Sequence, residues 1–139
     1  MLGAVFVNGD AHDAGNTSLT VRGDTNTLAS GDILNINDQG DANNNTYNLT
    51  DTTFQRTAAG TATGTVTYAT VETVNLNAGT GGDDINVLDT ADSVNTNVNA
   101  NSGNDDIDVT TTGNSSNVVI NPPDATSCPA RIRFSFINS

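Results

Sequence analysis

The chain has 139 residues and a formal charge of -12, from 4 basic and 16 acidic side chains, with 35% hydrophobic and 4% aromatic residues. That is the size of one small domain. All four cations are arginines (Arg22, Arg56, Arg131, Arg133), too few and too scattered to neutralise a phosphate backbone or to dock on an anionic membrane, so nucleic acid is excluded as a partner. No apolar run approaches the ~20 residues that a spanning helix needs, so membrane insertion is not expected either.

Low hydrophobicity with high net charge is the signature of disorder unless a pattern opposes it. Here the Val, Ile, Leu and Phe residues fall in short alternating runs between Gly, Asn and Asp clusters, which is strand and turn chemistry. No window has the apolar spacing of an amphipathic helix. The opening Met1–Val7 stretch is too short and uncharged for a secretory leader, so the chain is expected to be leaderless or cut from something longer. Within it, Ala4–Val7 forms a first strand or cap. His12, in Asp10-Ala-His-Asp13, is an exposed turn residue. Near Ser18–Val21 and Gly31–Ile36 an irregular copy of a repeat begins, with Gly31-Asp32 and Leu34-Asn35-Ile36 echoing Gly82-Asp83 and Ile85-Asn86-Val87. Thr61, Thr63, Thr65 and Thr67 alternate on one strand. A Thr ladder for ice binding would need Thr to return in the next coils, where Ile85, Val87 and Asp89 stand instead.

The repeat is clearest from Val74 to Val109. Residues 74–87 lie over residues 96–109 without a gap, at an offset of 22 and with eight of fourteen positions identical. Extending that offset places Phe54, Leu76, Val98 and Ile120 in one apolar column. Ile85 with Ile107 and Val87 with Val109 make two more, with Thr63 and Thr65 one step below. A period near 20 residues with two strands per repeat predicts an all-β parallel β-solenoid with coils of about 22 residues, each stacking on the next at ~4.8 Å. A β-sandwich is the alternative, although nothing in a sandwich requires identical residues at a fixed offset. In the solenoid Asn75 lies over Asn97, and Asn77 over Asn99 over Asn121. These columns predict amide ladders with a structural role.

The turns carry the chemistry. Ala78-Gly-Thr-Gly-Gly-Asp-Asp-Ile-Asn86 and Ala100-Asn-Ser-Gly-Asn-Asp-Asp-Ile-Asp108 resemble the glycine-rich nonapeptide of the RTX (hemolysin-type) calcium-binding repeats. Gly79, Gly81, Asp83 and Ile85 fall on motif positions in the first copy, and Gly103, Asp105 and Ile107 in the second. Both copies replace the leading Gly by Ala, and the motif returns at 22 instead of in tandem nines. More broadly, residues 16–121 are similar in composition to the repeat regions of large secreted or surface-attached bacterial proteins. The resemblance implies an extracellular or cell-surface location and calcium at the turns.

Electrostatics gives calcium a separate argument. At an offset of 22, Asp83 stacks on Asp105 and Asp84 on Asp106. Two carboxylates ~5 Å apart repel by roughly 1 kcal/mol in water and by several at an effective dielectric near 20. A cation held by Asp83, Asp84, Asp105 and Asp106 offsets that, with Gly81 and Gly103 letting the backbone turn. In the competing account these carboxylates cap local backbone amides and stay solvated. Asp10, Asp13, Asp24, Asp38, Asp41, Asp89 and Asp92 are read as turn residues on a solvated surface.

Enzymatic function is not expected. There is no Trp for sugar stacking, no nucleophile elbow, no Walker loop and no Cys/His zinc spacing. The single Cys128 cannot form an internal disulfide. The repeat domain is assigned to residues 1–121, and residues 122–139 to a non-repeat tail or capping strand. Pro122 and Pro123 stop the ladder, after which Ile132, Phe134 and Phe136 are placed to fold over the open end. The expected function is a structural or adhesive extracellular module with a cell-surface or matrix partner. The alternative is a filament or surface-layer subunit that self-associates through its ends.

Overall fold

The computed structural model of the chain describes residues 4–8, 19–23, 31–58, 60–62, 64–123 and 130–135. Asp10, His12, Asp13, Asp24, Thr63, Cys128 and Phe136 lie outside them.

Where the sequence alternates an aliphatic residue with Asn or Thr, the chain is extended and every second side chain is buried. Ile33–Asn37 and Thr73–Asn77 both show this alternation, as period-two geometry requires. The described residues form strands and no helix: β1 Ala4–Asn8, β2 Leu19–Arg22, β3 Ile33–Asn37, β4 Asn45–Leu49, β5 Thr53–Ala58, β6 Thr61–Ala62, β7 Val66–Ala69, β8 Thr73–Asn77, β9 Asp84–Val87, β10 Asn95–Asn99, β11 Asp106–Val109, β12 Asn117–Asn121 and β13 Arg131–Phe134.

The protein is therefore all-β, and most of its strand pairs are parallel. Sheet A has the order β1-β3-β8-β10-β12, with every neighbouring pair parallel. Sheet B has the order β13-β11-β9-β4-β5-β7-β2. It is parallel from β13 to β4 and again between β7 and β2, but antiparallel at β4–β5 and β5–β7, with β6 paired to β5. From β8 onward successive strands alternate between the two sheets. Inward side chains of both sheets form one core, including Leu34, Val74, Leu76 and Val98 from sheet A and Tyr47, Ile85, Val87 and Ile107 from sheet B. Burying each aliphatic side chain contributes ~1.5–3 kcal/mol.

The 22-residue offset is the register of the C-terminal strands: Leu76 pairs with Val98 and Val98 with Ile120 in sheet A, and Ile85 with Ile107 and Val87 with Val109 in sheet B. It does not extend to Phe54. The partner of Leu76 on the other side is Ile36, and the partners of Ile85 and Val87 are Tyr47 and Leu49, not Thr63 and Thr65. The physical reason is an insertion. Antiparallel β5 and β7 stand between β4 and β8 in the chain, so the offset there becomes 40 in sheet A and 38 in sheet B. Phe54 belongs to the insertion, opposite Leu49, with its ring 6.2 Å from that of Tyr47. Likewise Leu34-Asn35-Ile36 is a copy of Val74-Asn75-Leu76, not of the segment after Asp83.

Gly81 and Gly103 are among the glycines required by close approach between turns. A Cβ at Gly81 would lie 2.2 Å from the carbonyl oxygen of Asn43. One at Gly103 would lie 1.8 Å from that of Gly81, and Gly103 has φ +144° besides. At the C-terminal end, β13 pairs in parallel with β11, setting Ile132 beside Ile107 and Phe134 beside Val109. Instead of folding over the open end, these two residues form a last rung of the stack and stay exposed.

Candidate functional site

The turn before β9 and the turn before β11 place Asp83 and Asp105 one above the other, because the strands that follow are paired in register. Both side chains are buried, at 1% and 2% exposure. Each carboxylate reaches one strand along the stack: Asp83 Oδ1 accepts the backbone N–H of Asn45 at 2.8 Å, and Asp105 Oδ1 accepts that of Asp83 at 2.9 Å. These aspartates thus cap backbone amides, but those of the neighbouring turn, and away from solvent. Oδ2 of Asp83 and Oδ2 of Asp105 are buried without a hydrogen-bond partner, as is Oδ1 of Asn45 in the same column.

Burial pushes the Asp83 carboxyl up to about 6; the charges of Asp105, Asp38 and Asp41 act in the same direction, and the Asn45 N–H opposes them. Burial also raises Asp105, against the Asp83 N–H.

Next to this column lies a polar network that the sequence reading missed. Asp38 is not a solvated turn residue. It is buried, and Arg56 Nη1 contacts its Oδ1 at 2.6 Å and its Oδ2 at 2.7 Å. The same nitrogen reaches Asp41 Oδ2 at 3.1 Å. The Tyr47 hydroxyl donates to Asp38 Oδ2 at 2.7 Å and accepts the Gly79 N–H at 3.0 Å. Burial and the Asp38 contact hold this hydroxyl far above the ordinary tyrosine range. For Asp41, burial acts upward, yet hydrogen bonds from Asn43 and Asn45 and the Arg56 charge bring its carboxyl below the usual range. The signal in the sequence was Arg56 itself. It is a cation in an alternating strand at a position that must face inward, and a buried cation requires counter-ions. Asp89 and Asp92 do cap turn amides, of Thr90 and Asn114.

Asp84 and Asp106 also stack in register, on the outside of sheet B. Asp84 is exposed, while Asp106 binds Arg133 and lies 3.8 Å from Arg131. A cleft of about 590 Å³ is lined by Asp84, Asn104, Asp105, Asp106, Ala130 and Arg131. Among the described residues, no three His, Cys, Asp or Glu side chains converge closely enough to hold a metal ion. Ala78 and Ala100, standing where the nonapeptide has its first Gly, are buried in the core.

The Asn columns are hydrogen-bonded ladders. Asn97 Nδ2 donates to Asn75 Oδ1 and Asn75 Nδ2 to Asn35 Oδ1, both at 2.7 Å. Beside it Asn121 donates to Asn99, Asn99 to Asn77 and Asn77 to Asn37, at 2.6–2.7 Å.

Compared with known proteins, the chain matches no family model, and no curated protein or solved structure resembles it significantly.

Proposed function

We propose that the chain is a β-solenoid repeat module, a non-enzymatic structural or adhesive element of an extracellular or cell-surface protein. The observation that carries this reading is the common 22-residue register of β8, β10 and β12 in one sheet and of β9 and β11 in the other. Stacked coils need that identity of offset, and a sandwich does not. A structural role is supported by the way the carboxylates are used: Asp83 and Asp105 each accept a backbone N–H of a neighbouring turn through Oδ1, and Asp38 serves Arg56. The location rests on the resemblance of the Gly/Asp turns to secreted repeats.

Deleting residues 84–105 tests the architecture. The excision joins Asp83 to Asp106 in register and removes one coil. A solenoid keeps its β-type circular dichroism and a cooperative, lower melting temperature; loss of the β spectrum would overturn the reading. Calcium is the second element, supported by the unpartnered Asp105 Oδ2 and Asp106 Oδ1, whose residues share one cleft. A melting temperature that rises with calcium over chelator, and not with magnesium, is the expected result. An ion-independent melt removes calcium and leaves the module.

One observation favours the filament alternative: Ile132 and Phe134 are exposed on the last rung. The other end opposes head-to-tail stacking. There, among the described residues, sheet B runs two strands past sheet A, a step of ~10 Å between the outermost described strands β1 and β2. Sedimentation across a concentration series separates the two, with the module expected to stay monomeric.

A further inference from the structure

The outer face of sheet A differs in charge from the rest of the molecule. Along β3, β8, β10 and β12 the outward positions are Ile33, Asn35 and Asn37, then Thr73, Asn75 and Asn77, then Asn95, Asn97 and Asn99, then Asn117, Val119 and Asn121. None is ionisable, in a chain carrying -12. The outer side of sheet B, by contrast, carries Asp84, Asp106, Asp108, Arg131 and Arg133. Each interior ladder amide donates one Nδ2–H and accepts one, which leaves a second N–H and a second lone pair. These free groups recur every ~4.8 Å along the ladders, in columns ~7 Å apart. A second feature shares their outermost ladder. A cleft of about 590 Å³ opens beside the Asn77–Asn99–Asn121 ladder, bounded by Gln39, Asn101 and Ser102, and it too is lined without an ionisable group. Asn101 is fixed there in the left-handed region at φ +60°, with its Nδ2 bonded to the Ala78 carbonyl at 2.6 Å.

We propose that this amide face and its cleft bind an uncharged polysaccharide whose chain lies along the ladders. This names the partner for the adhesive role proposed above and rests on that reading. Anionic polymers meet no cation here and a strongly negative molecule around it. Among the described residues of β3, β8, β10, β12 and the cleft, an apolar partner would find only Ile33, Val119, Pro122 and Pro123. Hydroxyl and acetamide groups, however, are matched donors and acceptors for a row of primary amides. No aromatic side chain lines the cleft to stack on a sugar ring, so each contact is weak and retention depends on many repeats engaging one polymer.

The test is co-sedimentation of the whole chain with insoluble cellulose, chitin and cross-linked dextran, with alginate beads as the anionic control. Retention on at least one neutral polymer is expected, unchanged between low and high salt because no ion pair is involved. The double variant Gln39→Glu/Ser102→Asp places charge on two exposed cleft residues outside the ladders, and it should lower retention at least tenfold with an unaltered β spectrum. Asp108→Asn on the opposite sheet should change nothing. A folded chain that no neutral polymer retains overturns the proposal and leaves the module standing, as does retention indifferent to the double variant or confined to alginate. A chain without a β spectrum overturns both.

Discussion

The C-terminal half and the N-terminal half of the core solve the same packing problem by different means. From β8 to β12 each strand of a sheet repeats the one before it at the same offset, so Leu76, Val98 and Ile120 share a column and Asn77, Asn99 and Asn121 share a ladder. Asp83 and Asp105, buried in that half, are equivalents one strand apart that meet through the backbone. Between β3 and β8 the inserted β5 and β7 interrupt that equivalence, and the interior instead holds Arg56 with Asp38, Asp41 and Tyr47. Repetition makes stability a sum of similar local increments. The insertion concentrates it in one unique, mutually dependent network.

The largest expected effect is therefore in the irregular half. Arg56→Ala leaves Asp38 buried without its cation and should cost about 3–5 kcal/mol in urea unfolding. Arg56→Ala combined with Asp38→Ala should recover much of that loss; a single variant within about 1 kcal/mol of wild type would show the network to be dispensable. In the regular half the comparable change is Leu76→Ala, which opens a cavity at a fully buried position and should cost about 2–5 kcal/mol. Its neighbours Ile36 and Val98 belong to different strands, β3 and β10, so the m-value should stay constant if the sheets unfold as one unit.

A smaller effect links the two halves through pH. Asp83 takes its N–H from Asn45, at the edge of the irregular region, and feels Asp38 and Asp41 as well as Asp105. Its native pKa of about 6 lies above the unfolded value of 3.8, so the native state binds the proton more tightly. The stabilising contribution is fully present below about pH 4 and is lost as pH rises through 6. It amounts to about 2–3 kcal/mol in all, roughly half of it between pH 5 and 7.5. The melting temperature should thus be higher at pH 5 than at pH 7.5, with Asp105 acting in the same direction. Asp83→Asn keeps the acceptor for Asn45 and should flatten most of the difference. A wild-type melt that rises from pH 5 to 7.5 would contradict the assignment.

The same contrast explains what could be read from the residues alone. Columns that repeat at one offset are legible because identical side chains mark them, as Asn75 over Asn97 and Ile85 over Ile107 do. Phe54 was placed wrongly because an offset carries no warning of where it stops, and Leu34-Asn35-Ile36-Asn37 announces its true partner, Val74-Asn75-Leu76-Asn77, only once an insertion is allowed. Asp38 and Asp41 look like surface turn residues because burial of a short charged side chain is decided by its partner. That partner, Arg56, lies 18 and 15 residues away across an antiparallel pair. The stack of Asp83 on Asp105 was visible, but its hydrogen-bond use was not, since register says which residues meet and not which atoms they share.

The smallest effect concerns the ladders, and it separates strength from uniformity. Asn99 accepts from Asn121 and donates to Asn77, so Asn99→Ala removes two side-chain hydrogen bonds at a half-buried position. Each such bond contributes only ~0.5–1.5 kcal/mol net, and water can reach the groups left behind. About 1–2 kcal/mol is expected, less than for Leu76→Ala in the same pair of strands. Asn97→Ala in the adjacent ladder loses only one donor bond to Asn75, because the next position in its column is Val119, and it should cost about half as much. Equal costs for the two variants would mean that the ladder bonds contribute little and that the amides are retained for what they present to the outside.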